Sequence, residues 1–290
     1  MRRQKKEVMR KQSIFWIIIG LMLLSSCRDK DLDMTVLHKT LFDGAAITEI
    51  TAEDAWNVTV VQDAEKPFVE LEYSAFLEEY LRVVEEGSEL KIGFNRYLNL
   101  PANTVKNAII HTASVQKLDF SEAVTALLVG DFPAAMLEME LDDAATCKGG
   151  SFSGAAHLKL NDASTMVDFC FNGSTCILEL DDVSVFKGFL TASDSMSIHL
   201  EDASRLTTYG GTTPEAIVGV RDASHLNMVK TAVTNMHINV SEASEACVNV
   251  SGTLSGMVTG VSKLYYQGNP IINVDCDDLS TFEPLSTFNF

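Results

Sequence analysis

The chain has 290 residues, of which 22 are Lys or Arg and 40 are Asp or Glu, giving a formal net charge of −18 at pH 7. Nucleic-acid binding needs a basic footprint to neutralise phosphates, so this composition excludes it and leaves no electrostatic reason for contact with anionic lipid. A cationic partner or divalent cations suit the field better.

Residues 1–26 read as a signal peptide. Arg2, Arg3, Lys5, Lys6, Arg10 and Lys11 form a basic head, and Ile14 to Leu24 an apolar run. That run is too short for a standard membrane span of roughly 20 residues. The segment ends Leu24-Ser25-Ser26-Cys27, which resembles a bacterial lipobox and marks Cys27 as the lipidated first residue of the mature chain. An uncleaved anchor is the alternative. Removing 1–26 takes away six basic residues and one acid, leaving 16 against 39, a net charge of −23. Residues 27–41 read as a tether. Its Arg28-Asp29-Lys30-Asp31-Leu32-Asp33 resembles an acidic surface-export signal in the Bacteroidetes, with basic residues interspersed.

Residues 42–104 read as a strand-rich N-terminal portion that caps the repeats after it. Trp56 to Gln62 and Phe68 to Tyr73 alternate with period two, and Asp63 to Pro67 separates them as a turn. The spacing of Leu77, Tyr80, Leu81 and Val84 predicts a helix over Phe76 to Glu86, before a strand at Glu89 to Phe94.

From residue 105 to 275 an acidic turn returns about every 20 residues. It reads Asp162-Ala163-Ser164, Asp182-Val183-Ser184, Asp202-Ala203-Ser204, Asp222-Ala223-Ser224 and Glu242-Ala243-Ser244, with Asp143 one unit earlier. A fixed period of this length marks a solenoid. Two, four and six residues before each acid lie apolar residues, for example Leu180, Leu178 and Cys176, then Leu200, Ile198 and Met196. Period two predicts strands with one buried face. Four residues after the acid come Cys147, Met166, Phe186, Leu206, Leu226 and Ala246. The expected rung is therefore a strand, a tight corner, a second strand and a looser return. About eight rungs stack as an all-β parallel β-helix. The Ala column is expected to mark a corner too tight for larger side chains.

Asp143, Asp162, Asp182, Asp202, Asp222 and Glu242 then form a vertical ladder. Each Asp is expected to hold its corner as an Asx-turn, accepting the amide of the serine two residues on. Weak divalent-cation binding along the ladder is the functional alternative; no other cofactor is expected. Glu201 and Arg221 are placed to form an ion pair across rungs. His157 and His237 share a column four rungs apart, so a histidine metal site is not expected.

Cys147, Cys170, Cys176, Cys247 and Cys276 show no zinc-site spacing, and Cys147 and Cys176 fall on inward columns, which favours core packing over bridges. Residues 276–290 read as a C-terminal tail or cap. Tyr265 and Tyr266 are read as capping residues, with sugar stacking as the alternative.

Three stretches together resemble the auto-transporter adhesin, head GIN domain family of Bacteroidetes lipoproteins and secreted proteins. They are Phe42-Asp43-Gly44 through Gln62, the run of Asp-Ala-Ser turns, and Val261 to Pro270, so the resemblance covers roughly 42–275. It implies a right-handed parallel β-helix solenoid with an N-terminal strand-rich portion, and it carries no established catalytic or binding residues. The expected function is a noncatalytic, lipid-anchored adhesin or scaffold of the outer membrane, facing outward or into the periplasm and binding glycan or an envelope or host protein. A carbohydrate-active β-helix enzyme is the alternative. It would need paired carboxylates in a groove, and Asp142/Asp143, Asp181/Asp182, Glu201/Asp202 and Asp277/Asp278 lack an evident base or clamping Arg.

Overall fold

Alternating apolar residues along so much of this chain leave few places for a helix, and the computed structural model, which describes residues 32–63 and 65–285, has none of the α type among them. Cys27 and the signal segment lie outside the described residues. Nineteen strands follow in chain order. The first eight are β1 (Val36–Leu41), β2 (Glu49–Ala52), β3 (Asn57–Gln62), β4 (Phe68–Ser74), β5 (Leu81–Glu86), β6 (Glu89–Phe94), β7 (Lys106–Thr112) and β8 (Lys117–Phe120). Six long strands build the middle: β9 (Thr125–Leu141), β10 (Thr146–Leu160), β11 (Thr165–Leu180), β12 (Val185–Leu200), β13 (Arg205–Val220) and β14 (His225–Val240). The last five are β15 (Glu245–Val250), β16 (Thr253–Val258), β17 (Lys263–Gln267), β18 (Ile271–Cys276) and β19 (Thr281–Pro284).

Each long strand pairs in parallel with the next, from β9 through β14, and the half-rungs β15 to β19 continue the stack. The result is a β-solenoid of about 8 turns with rungs of about 20 residues. The inward columns are those the alternation predicts. Leu137, Ala156, Cys176, Met196, Ala216, Met236 and Leu254 lie one above another, and all are buried. On the opposite wall Cys147, Met166, Phe186, Leu206, Leu226 and Ala246 are in register. Between the walls Phe132, Phe152 and Phe169 stack at centroid distances of 5.0 and 5.4 Å. Burying side chains of this size contributes about 1.5–3 kcal/mol each, which no single rung could collect alone.

The long strands bend sharply where they pass from one wall to the next. Gly211 sits at such a bend with φ +132°, and a Cβ built there would lie 1.7 Å from the Leu190 carbonyl oxygen of the rung beneath. Only a residue without a side chain permits that approach.

Three sequence expectations are corrected at the ends. The helix expected at Phe76 to Glu86 is a 3-10 turn at Ala75–Leu77 followed by strand β5. The stripe that suggests a helical face is short, and Leu81 and Val83 are instead the inner positions of an antiparallel hairpin with β6, closed at Gly87 with φ +72°. Residues 36–41 of the expected tether are strand β1, antiparallel to β4. Residues 281–284 of the expected tail or cap are β19, which continues the last rung over β17.

The rungs are also not stacked in chain order at the start. β2 pairs with β6 on one side and β8 on the other, and β3 lies between β7 and β9. The rung made of residues 49–62 is thus the second layer, and the later segments β6 and β7 lie outside it. Antiparallel β5 on β6, and β4 then β1 on β7, finish that end.

Candidate functional site

The repeated acid-Ala pair occupies a backbone conformation that L-residues rarely adopt. Asp162 and Ala163 have φ of 47° and 62°, and the same pair of positive values recurs at 143/144, 182/183, 202/203, 222/223 and 242/243. The Ser164 amide donates to the Asn161 carbonyl at 3.0 Å, closing a four-residue turn. Two left-handed central residues and an i to i+3 hydrogen bond are the signature of a type I′ turn. This overturns the Asx-turn expectation: the serine amide is taken by the backbone carbonyl before the acid, not by the Asp side chain. Asp tolerates the left-handed region better than most residues, which gives the acid column its backbone reason.

The alanine column is corrected with it. Ala144, Ala163, Ala223 and Ala243 face solvent, so room is not what limits side-chain size there. Backbone strain is. Val183, a β-branched residue at φ +66° and 60 % exposed, is strained in this region. Val183→Gly is expected to stabilise the protein by about 1 kcal/mol, measured as a rise in Tm; a fall would show that the valine is held by a contact rather than tolerated.

Stacked turns bond forward to each other, whereas the amides flanking each turn, such as Asn161 and Thr165, donate back to Leu141 and Ala145 of the preceding rung. The amide of each second turn residue donates to the carbonyl of the first turn residue in the next rung. The series runs Ala55 to Glu122, Ala123 to Asp143, Ala144 to Asp162, Ala163 to Asp182, Val183 to Asp202, Ala203 to Asp222, Ala223 to Glu242 and Ala243 to Gly260, at 2.8–2.9 Å. Asp54 begins this series, so its carbonyl receives no amide from a preceding turn. The Lys106 ammonium takes that place, donating to the Asp54 carbonyl at 2.9 Å and the Ala55 carbonyl at 2.5 Å. Burial pulls the Lys106 pKa down, opposed by the nearby Asp54 carboxylate.

Behind the turns a serine column is buried. Ser164, Ser184, Ser204, Ser224, Ser244 and Ser262 are at most 1 % exposed. From Ser204 onward each serine amide also meets the hydroxyl oxygen of the next serine, Ser204 to Ser224, Ser224 to Ser244, Ser244 to Ser262 and Ser262 to Ser280, at 3.2–3.3 Å. The hydroxyls of this column are thus joined to the chain by amide-to-hydroxyl steps inside the wall.

In front of the turns the carboxylates crowd. Those of Asp142, Asp143 and Asp162 offer oxygens within 4.8 Å of one another, as do those of Asp181, Asp182 and Asp202. The Asp142 pKa is raised by partial burial and by its hydrogen bond to Asp162. Asp202 is raised by its hydrogen bond to Asp181, and Glu242 by its bond to Asp222. A carboxyl raised in the fold binds its proton more tightly there than in the unfolded chain. Its stabilising contribution is present at acid pH and is lost as pH climbs through the raised pKa. Asp202→Asn removes one member, and Asn accepts the left-handed backbone. It is expected to raise Tm at pH 7.5, with the gain shrinking toward pH 4.5 as the carboxyls of the parent protein protonate. A pH-independent difference would remove carboxylate repulsion as the cause.

The other sequence candidates are dispersed. Arg221 Nη2 does pair with Glu201 across rungs. His157 lies 3.5 Å from Glu179, His199 bonds Ser197, and His237 bonds Ser255, each in its own surroundings. Tyr266 stacks on Phe282 at 5.1 Å, in the packing of the last rung. The five described cysteines are free, and burial pushes the Cys147 and Cys176 thiols up to about 12. Among the described residues the outer faces carry open depressions, such as one of about 250 Å³ over Gly219, between His199, Ile217 and Asn239, and one of about 400 Å³ beside Asp181 and Glu201. The sequence did not single out Lys106, whose role depends on a turn 52 residues earlier.

Solved structures share this architecture at low sequence identity. A putative adhesin from Parabacteroides merdae superposes with a TM-score of 0.65 at 12 % identity, covering 87 % of this chain and 97 % of that one. A putative lipid binding protein from Parabacteroides distasonis gives 0.64 at 13 %, covering 88 % and 98 %. A putative adhesin from the same species gives 0.58 at 14 %, covering 87 % and 98 %. No curated protein matches the chain. The family model described as "Putative auto-transporter adhesin, head GIN domain" matches residues 46–270, from the second strand through the last regular rung but one, and the chain belongs to that family.

Proposed function

We propose that this protein is a noncatalytic, lipid-anchored binding module of the cell envelope, an adhesin or scaffold that presents its solenoid walls to an extended partner. The observation that carries this is the outward register. Position by position, Glu140, Lys159, Glu179, His199, Gly219, Asn239, Met257 and Asp275 stand in one outward column. At the roughly 4.8 Å spacing of paired strands, such a wall offers varied side chains in regular array, suited to glycan or to an envelope or host protein. The family's adhesin description and the adhesin-named structural neighbours support the same reading. Weak divalent-cation binding would quiet the crowded carboxylates and belongs to it as a stabilising accessory.

The crowded acids do not favour hydrolysis. Their oxygens lie within 4.8 Å of one another, closer than the roughly 5–9.5 Å at which paired carboxyls flank a glycosidic bond.

Anchoring is tested by Cys27→Ser, which is expected to abolish lipid labelling and release the protein from the membrane fraction; unchanged labelling would refute the anchor. Orientation is tested by treating intact cells with an impermeant protease beside a periplasmic control. Loss of this protein with the control intact supports adhesion. Protection until the outer membrane is opened, with cleavage afterwards, would replace adhesion by a periplasmic scaffold role.

A further inference from the structure

The two ends of the solenoid are finished differently. At the start, the outermost parallel strands β6 and β7 are each covered by an antiparallel strand, and Val69, Leu71 and Tyr73 of β4 are fully buried or nearly so. At the other end the last rung is β18 over β16 and β19 over β17, and among the described residues nothing pairs with their outer edges. The inward columns come to the surface there. Ile272 stands over Leu254 and Cys276 over Val258; Leu254 and Val258 are 0 % exposed, whereas Ile272 is 42 % exposed and Cys276 lies in solvent. Ile271 is 69 % exposed beside them. An unpaired edge next to exposed apolar residues is a template for another strand.

Charge selects the occupant. The rim of this rung carries Asp275, Asp277, Asp278 and Glu283, and no Lys or Arg occurs after Lys263. A second copy meeting this edge would bring two such acidic sets together, a known way of blocking self-pairing. β19 ends at Pro284, which has no amide to donate, so β18 with its six residues is the usable edge. We infer that the Ile271–Cys276 edge docks an extended segment of a partner protein in which apolar and basic residues alternate. Added as a strand, it would take main-chain hydrogen bonds from β18. Its apolar side chains would continue the columns of Ile272 and Cys276, and its Lys or Arg would lie over Asp275. This site is separate from the solenoid walls, so it can fail while the wall-binding reading stands, and the reverse.

The test uses the full chain with three capped peptides: Lys-Val-Lys-Val-Lys-Val-Lys, the same residues in blocks (Lys-Lys-Lys-Lys-Val-Val-Val), and Glu-Val-Glu-Val-Glu-Val-Glu. The alternating basic peptide is expected to bind at least tenfold tighter than either of the others and to slow amide exchange across 271–276. Ile272→Asp is expected to weaken it at least tenfold, with the Tm of the remaining rungs confirming the fold. The double change Asp275→Lys and Glu283→Lys is expected to shift preference toward the acidic peptide. Equal binding of the block peptide would overturn the proposal, since the acid ridge alone would explain it. So would undiminished binding by Ile272→Asp, absence of exchange protection at 271–276, or a dimer that Ile272→Asp dissolves. Binding that appears only after residues 286–290 are deleted would assign the edge to this chain's own terminus and equally overturn it.

Discussion

Gly211→Ala is expected to lower stability by about 3–5 kcal/mol, the sum of strain at a strongly positive φ and of forced overpacking. At about 2–4 °C per kcal/mol for a chain of this size, Tm would fall by about 10 °C. The cause is specific. The added methyl would occupy space 1.7 Å from the Leu190 carbonyl oxygen, a backbone atom held in the ladder and unable to rotate aside. Gly219 provides the comparison. It lies on an outward column, and its nearest neighbour to a new Cβ is the His199 ring nitrogen at 3.2 Å, which a small side-chain movement relieves. Gly219→Ala should therefore change stability by less than about 0.5 kcal/mol. If thermal melts showed equal losses for both, the account of the bends as close backbone crossings would be wrong.

Lys106→Met should be the second most damaging change, at about 2–3 kcal/mol. It keeps the length of the side chain and removes two charge-assisted hydrogen bonds, leaving the Asp54 carbonyl at the start of the turn ladder without a donor. Lys91→Met deletes the same charge from a surface position paired with Glu86 and Glu89, and exposed pairs contribute little. The difference between the two variants isolates the capping role from the general loss of a cation in an acidic protein. Equal effects would show that Lys106 matters only as charge. Lys106→Arg is expected to restore part of the loss.

The solenoid was legible because two periods coincide in the sequence. Side chains alternate with period two within a strand, and the acid-Ala-Ser corner returns at intervals near 20, so spacing alone pairs Cys176 with Met196 and Leu206 with Leu226. What the corner does with its backbone was not legible. Asp-Ala-Ser fits an Asx-turn as readily as a type I′ turn, and only the sign of φ at both residues separates them. Alanine at a left-handed position looks in sequence like alanine in a cramped one; exposed Val183 tells them apart. The rung order at the start was hidden because Asp54-Ala55-Trp56 lacks the serine of the repeat and lies 68 residues before Glu122. The helix expected near Tyr80 failed because a stripe of four residues cannot outweigh a hairpin partner supplied by β6. Of the candidate site, the acidic column and the Glu201–Arg221 pair were readable, while the hydrogen bond between the Asp181 and Asp202 carboxyls depends on side-chain placement that spacing leaves open.

The displaced first rung has a consequence for how the chain reaches this state. Residues 49–62 find their neighbours at 89–94 and 106–112 on one side and at 117–129 on the other, so neither edge closes until those later segments are present. Contacts among the central rungs span only one repeat, and low sequence separation lowers the entropy of closing each one. Nucleation is therefore favoured in the region of β10 to β14, with growth outward in both directions. The segment that is synthesised first is among the last to be locked, and a chain halted before residue 89 would hold an apolar rung with no parallel strand to lie against.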